Sequence, residues 1–249
     1  MKKFALDSGF AAYFGASGAD MSVALERAGL PCDLFKNPRP KVSAEAWASF
    51  MTQALKLQGG GRGMLDLICN PSDSAFSPPV AAAWCSRNGA ASIARLAKYK
   101  ELIASEKLTI TKEPSALCAT FSGLWEGGEP SPELGAAEFI FLASLMRKAA
   151  DPVIRPLGAS VRGGFNDEVV ARYLVCRIED GERCAICFSK ADMAKPFSNW
   201  SPRIWDNLSP VLESRLGKAQ GTFSSGVVHA LQSMLPAGEC GIADAASRL

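Results

Sequence analysis

Histidine is almost missing from this sequence: the 249 residues contain one, His229. That excludes a multi-histidine metal site. A Ser-His-Asp triad would have to use this residue, far from any Gly-x-Ser-x-Gly elbow. Long apolar runs are missing too. The longest, such as 135–146 and 80–84, fall short of the roughly 20 residues that span a bilayer, so no transmembrane helix is expected. The start is basic, like that of a signal peptide, but Asp7, Gly15 and Asp20 interrupt any apolar core before a cleavage site; a cytoplasmic location is expected. There is no excess of one charge either. Lys and Arg total 27 against 25 Asp and Glu, a net charge of +2, and the signs are mixed along the chain, without the basic block that marks a nucleic-acid surface.

What is present suits a folded chain. Hydrophobic residues make up 48% of the sequence, enough to bury a core in one large domain or two small ones. The eight cysteines, with no secretory signal, read as reduced, buried small hydrophobes rather than a disulfide scaffold. Cys184 and Cys187 have the spacing of a redox pair, yet they fall in an expected strand, where residues three apart point to opposite faces. The run Gly59-Gly60-Gly61-Arg62-Gly63 lacks the Lys-Ser/Thr ending of a phosphate loop and follows a helix rather than a strand, so it reads as a helix-to-helix loop. No metal or cofactor is implied.

Periodicity divides the chain into three textures. Asp20 or Ser22 caps a helix to Arg27 that Gly29 stops, and Pro31 opens a single turn through Phe35. Ser43 caps a helix carrying Trp47, Phe50, Met51, Ala54 and Leu55 at helical spacing. Ser77-Pro78-Pro79 and Asn88 start two more, the second with Ile93, Leu96, Ala97, Leu102 and Ile103 on one face. Period two follows, with a hairpin of strands from Leu108 and from Ala116 around Glu113-Pro114-Ser115. A helix apolar all round, from Glu133 to about Ala150, is expected to be sandwiched. Strands are expected at 156–162, 169–178 and 183–188, the last two joined by an Asp180-Gly181 hairpin turn. That turn would put Tyr173, Val175, Cys184, Ile186 and Phe188 on one face and Leu174, Cys176, Ile178 and Cys187 on the other, a sheet covered on both sides. Helices return at 201–216, at 224–235 and from about Ile242. Together this is an α+β fold with N-terminal helices, a mainly antiparallel sheet around a buried helix, and C-terminal helices.

Several stretches resemble one family, the AraC/XylS transcription regulators and their arabinose-binding-type N-terminal domain. They are Leu25-Glu26-Arg27-Ala28-Gly29-Leu30, Val42-Ser43-Ala44-Glu45-Ala46-Trp47, Ser92-Ile93-Ala94-Arg95-Leu96-Ala97-Lys98-Tyr99, and Ile186-Cys187-Phe188 with Ala191-Asp192-Met193-Ala194-Lys195-Pro196. At the end, 227–238 and Ile242-Ala243-Asp244-Ala245-Ala246-Ser247-Arg248-Leu249 resemble the linker helix and first helix of an AraC-type helix-turn-helix. The Gly59-Gly60-Gly61 insert and the cysteine-rich strands depart from the family pattern. The resemblance implies an effector-binding domain at 1–200, a linker and dimerisation region at 201–238, and the start of a helix-turn-helix at 239–249. It implies no enzyme. The partners would be a small-molecule effector, a second copy, and DNA only through a C-terminal domain that this chain does not include.

A pocket in such a sensor would form between the central helix, the buried helix and the sheet. The candidate ligand residues are Trp84, Arg95, Tyr99, Phe121, Trp125, Phe139, Arg147 and Tyr173. Trp205, Leu208, Val211, Leu212 and Leu216, at helical spacing, are the candidate dimer contacts. The alternatives are a small cytosolic thiol-dependent enzyme, which a depressed and exposed thiol would favour, and a dimerisation scaffold that senses nothing, which a solidly packed core would favour.

Overall fold

In the computed structural model, residues 3–5, 14, 18, 20–37, 40–69, 77–150 and 153–220 are described. The helices expected at 224–235 and from Ile242, and His229, lie outside them. The chain divides into two compact units, Met1–Ser201 and Pro202–Leu249.

The first unit opens with β1 (Lys3–Ala5), α1 (Met21–Arg27), β2 (Lys41–Ser43) and α2 (Ala44–Lys56). The helix starts are where the capping chemistry puts them. Asp20 accepts from the Ser22 amide at 2.9 Å, and the Ser43 hydroxyl from the Ala46 amide at 3.1 Å, each satisfying an orphan donor. α2 buries Trp47, Phe50, Ala54 and Leu55 along one face. After it come α3 (Gly61–Cys69), α4 (Pro78–Trp84) and α5 (Gly89–Tyr99), then a 3-10 turn (Lys100–Leu102). The glycine run is only partly a loop: Gly59 and Gly60 take positive φ, whereas Gly61 and Gly63 already belong to α3.

The strands β3 (Glu106–Lys112) and β4 (Ala116–Gly123) form the expected antiparallel hairpin, and α6 (Pro132–Ala149) follows. Next are β5 (Pro156–Val161), α7 (Glu168–Leu174), β6 (Ile178–Asp180), β7 (Cys184–Ser189) and the single turn α8 (Lys190–Met193). The sheet order is β3-β4-β7-β5-β6, antiparallel except for the β5–β6 pair. Its inner face carries Leu108, Phe121, Cys184, Ile186, Phe188 and Val161, all buried. α6 packs against that face and buries eleven residues, among them Phe139, Ile140 and Met146. The expectation of a sandwiched helix follows from its lack of a polar face.

Three expectations are corrected here. Residues 169–174 form a helix, not a strand, because Asp167 caps it: its Oδ1 accepts from the amides of Val169 and Val170 at 2.9 and 3.1 Å. Val170 and Leu174 become the buried i, i+4 pair, and Val175 ends the helix in the left-handed region. Asp180-Gly181 is not a hairpin turn, since β6 lies beside β5 in parallel while β7 sits two places away between β4 and β5. The proposed common face of Tyr173 and Val175 with β7 therefore dissolves, and only the alternation within β7 stands: Cys184, Ile186 and Phe188 buried, Ala185, Cys187 and Ser189 half-buried. Finally, Cys118 and Cys187 are directly opposite on β4 and β7 with Cα atoms 4.1 Å apart, and they are disulfide-bonded. Not every cysteine is a free thiol, because register brought two of them together. Cys184 lies on the opposite face from Cys187, buried and free.

In the second unit α9 (Pro202–Gln220) carries Pro210 inside it. No helix among the described residues is long and apolar enough to cross a membrane.

Candidate functional site

One end of the sheet forms a cavity of about 250 Å³ where β4 ends, β5 ends and β7 begins. Register builds its floor: Leu108 pairs with Phe121, Phe121 with Cys184, and Val161 follows Ser160, which pairs with Ala185. Phe121, Val161 and Cys184 line the floor, and Thr120 and Ser122 add hydroxyls. The turn after β4 closes one side. Gly128 accepts from the Gly123 amide at 2.6 Å, and both Gly127 and Gly128 need positive φ. At the rim Arg162 pairs with Glu129 at 2.6 Å, beside Glu182 and Arg183.

Behind the floor lies a buried charge cluster. Lys100, from the 3-10 turn, sits 2.6 Å from Glu138 of α6 and 3.2 Å from Glu106, the first residue of β3. The side chains are 6%, 15% and 0% exposed respectively. Neither Glu106 oxygen has a hydrogen-bond partner. Burial first, with the Glu138 charge adding to it against the opposing pull of Lys100, pushes the Glu106 carboxyl up to about 8. Burial works against the Lys100 ammonium, but Glu138 and Glu106 outweigh it and hold the group above its ordinary value. The cluster touches the floor twice: Lys100 Nζ lies 5.3 Å from the Phe121 ring centroid, and the Cys184 thiol is pushed up by burial and by the Glu106 and Glu138 charges. Gly135, one turn before Glu138, lets α6 approach this corner, since a Cβ there would stand 3.0 Å from Val161 Cγ2 and 3.1 Å from Cys184 Sγ.

The ligand candidates named from sequence fall into three places. Phe121 lines the cavity, with Phe139 behind it at 6.2 Å between ring centroids and Trp125 folded against Gly123 nearby. Arg147 and Tyr173 form a second group between α6 and α7, the guanidinium 4.1 Å from the ring centroid and donating to the Tyr173 carbonyl. Trp84, Arg95 and Tyr99 form a third on α4 and α5, where Arg95 donates to the Ala82 carbonyl at 2.8 Å and Tyr99 is fully buried. Of the dimer candidates, Val211 is exposed, Leu212 is buried, and Trp205, Leu208 and Leu216 are half-buried.

Lys100, Glu106 and Glu138 escaped the sequence reading. The signal was there: Glu106 occupies the inward phase of the alternation that continues through Leu108, and Glu138 interrupts an apolar helix. Among the described residues no group of three His, Cys, Asp or Glu side chains is arranged to hold a metal ion, and the thiols of the buried Cys85 and Cys184 and the half-buried Cys176 are all raised by burial, the opposite of an activated nucleophile.

A family model described as the arabinose-binding domain of AraC transcription regulator, N-terminal, matches residues 18–197. No curated protein matches the chain.

Proposed function

The chain belongs to the family of N-terminal arabinose-binding domains of AraC-type transcription regulators, and from that premise we propose that it senses a small effector in the sheet-end cavity and relays its binding to a DNA-reading domain. The observation that carries this reading is the match itself, which spans nearly all of the first unit and includes every residue of the cavity. At about 250 Å³ the cavity falls just below the usual range of ligand pockets, roughly 300 Å³ upward, which leaves room for no more than one compact metabolite with an apolar flank and polar edges. An effector that binds one arrangement of the corner better than another shifts the population toward it. The protein then works in the cytoplasm as a regulator and performs no chemistry of its own.

Dimerisation through α9 belongs to the same proposal. Val211 is 46% exposed and Ile204 47%, seven residues apart on one stripe, beside the half-buried Trp205, Leu208 and Leu216; an apolar stripe of this kind is covered in a symmetric pair. DNA contact is assigned to a helix-turn-helix whose first helix residues 242–249 resemble.

The test is thermal melting against a panel of small metabolites, arabinose first, with native mass spectrometry of protein purified from its own host. A compound that binds only the folded state at 100 times its Kd adds about 2.7 kcal/mol of stability. Replacing Phe121 by Ala is expected to abolish the melting shift. No shift with any compound, and no retained small molecule, would remove the sensing reading.

A further inference from the structure

We infer that Glu106 is a proton-operated latch behind the floor of the effector cavity, so that the sensor reads protonation as well as its effector. The inference rests on the assignment of that cavity as the effector site. Its basis is a charge imbalance in a closed space: two carboxylates face one ammonium, and the fully buried one receives no hydrogen bond. Two carboxylates sharing one buried site hold a proton between them far more readily than either would in water. With Glu106 protonated the cluster is neutral, one ammonium against one carboxylate. When the carboxylic acid gives its proton to solvent, one uncompensated negative charge is left inside the domain.

The titratable groups that face Glu106 are Lys100 from the 3-10 turn, Glu138 from α6 and the Cys184 thiol from β7. On β4 its partner is Gly123, which carries none. These same elements make the cavity. β4 supplies Phe121, whose ring carries the Lys100 ammonium on one face. β7 supplies Cys184, and α6 is seated on Val161 and Cys184 through Gly135. A charge appearing at Glu106 pulls Lys100 toward it and pushes Glu138 away, so the floor moves with the proton.

The sign of the stability effect follows. Glu106 has a folded pKa of about 8 against 4.5 for the ordinary group, so the folded state binds the extra proton in that interval. Its contribution is fully present below pH 4.5, declines across the interval and is lost once the pH has risen through about 8. Relative to Glu106→Gln, which keeps the shape of the neutral acid, the folding constant of the unaltered protein is expected to fall about tenfold for each pH unit between 5 and 8 and to level off above.

The direct measurement is carboxyl-carbon NMR of glutamate-labelled protein from pH 5 to 9.5, with amide shifts of Phe121, Val161 and Cys184 followed alongside. The expected result is a Glu106 resonance with its midpoint near 8, the three amides moving with the same midpoint, and none of this in Glu106→Gln. A Glu106 signal at the ionised position across the whole range overturns the latch; a titrating Glu106 with still amides overturns its link to the cavity. Neither outcome depends on finding an effector. A latch that titrates in a protein with no effector would instead count against the sensing reading alone.

Discussion

The two flanks of α6 are held by different physics. On the sheet side it meets a buried cluster of ionisable groups, Lys100 with Glu106 and Glu138, and a pair of strands tied by the Cys118–Cys187 bridge. On the helix side Arg147 lies over the Tyr173 ring and hydrogen-bonds a backbone carbonyl, while α7 and α3 share one capping carboxylate. A buried charge set is costly to unbalance and answers to pH. A stacked guanidinium keeps its charge at every ordinary pH. The sheet flank is thus the half whose state can change, and the helix flank is the support it changes against.

The sharpest way to break this contrast is Lys100→Met, which leaves Glu106 and Glu138 facing each other without a cation. Removing one partner of a buried ionic set costs about 3–5 kcal/mol, read as a drop in the urea midpoint at pH 7. A loss below about 1 kcal/mol, the value of an exposed pair, would show that water reaches the cluster and that the flanks do not differ in kind. Next in size is Cys118→Ala. The bridge joins residues 69 apart, and such cross-links contribute about 2–4 kcal/mol. Dithiothreitol added to the unaltered protein is expected to reproduce most of that melting loss, and no response to it would mean the two thiols are not bridged in solution.

On the helix flank the largest expected effect comes from Asp167. Its Oδ2 accepts from the Gly61 amide at 2.8 Å while its Oδ1 caps α7, so one carboxylate satisfies the starts of two helices 106 residues apart in sequence. Asp167→Ala removes both caps, about 1–3 kcal/mol in sum. Asp167→Asn, which keeps one accepting oxygen and turns an NH2 toward the other amide, is expected to recover about half. Full recovery by Asn in chemical denaturation would show that only one cap contributes.

Asp167 also marks where the sequence stopped being legible. The helix starts at Asp20, Ser43 and Asn88 are readable because each cap serves the helix directly after it. Asp167 followed the same rule, but the β-branched and aromatic run from Val169 to Tyr173 spoke for a strand, and tertiary burial of Val170 and Leu174 decided otherwise. Local chemistry at Asp180-Gly181 favours a hairpin, whereas the order β4-β7-β5-β6 is a long-range outcome that no two-residue signal contains. The cavity shows the same limit. Phe121 stands out in the sequence as an aromatic on a strand, but its neighbours Cys184 and Val161 come from register across three strands. Lys100, Glu106 and Glu138 looked like ordinary charges until a turn, a strand end and a helix were brought together.

The smallest effect tests the contrast most specifically. Arg147→Met keeps the length of the side chain and loses its stacking on Tyr173, about 0.5–2 kcal/mol, together with a hydrogen bond worth about 1 kcal/mol. Because the Arg147 residue is half-buried rather than fully buried, the lower part of that range, a total of about 1–2 kcal/mol, is expected. The loss should be the same at pH 6 and pH 9. Burial, then the hydrogen bond with Cys69, pushes the Tyr173 phenol up to about 12, so its stability contribution is lost only as pH rises past 10, outside this window. Glu106→Gln behaves in the opposite manner, altering the slope between those pH values more than the midpoint at either one. Urea denaturation of both variants at the two pH values separates the flanks without any ligand. If Arg147→Met changed the pH slope as strongly as Glu106→Gln does, the two sides of α6 would be one coupled network, and the division into a responsive sheet flank and a fixed helical flank would have to be given up.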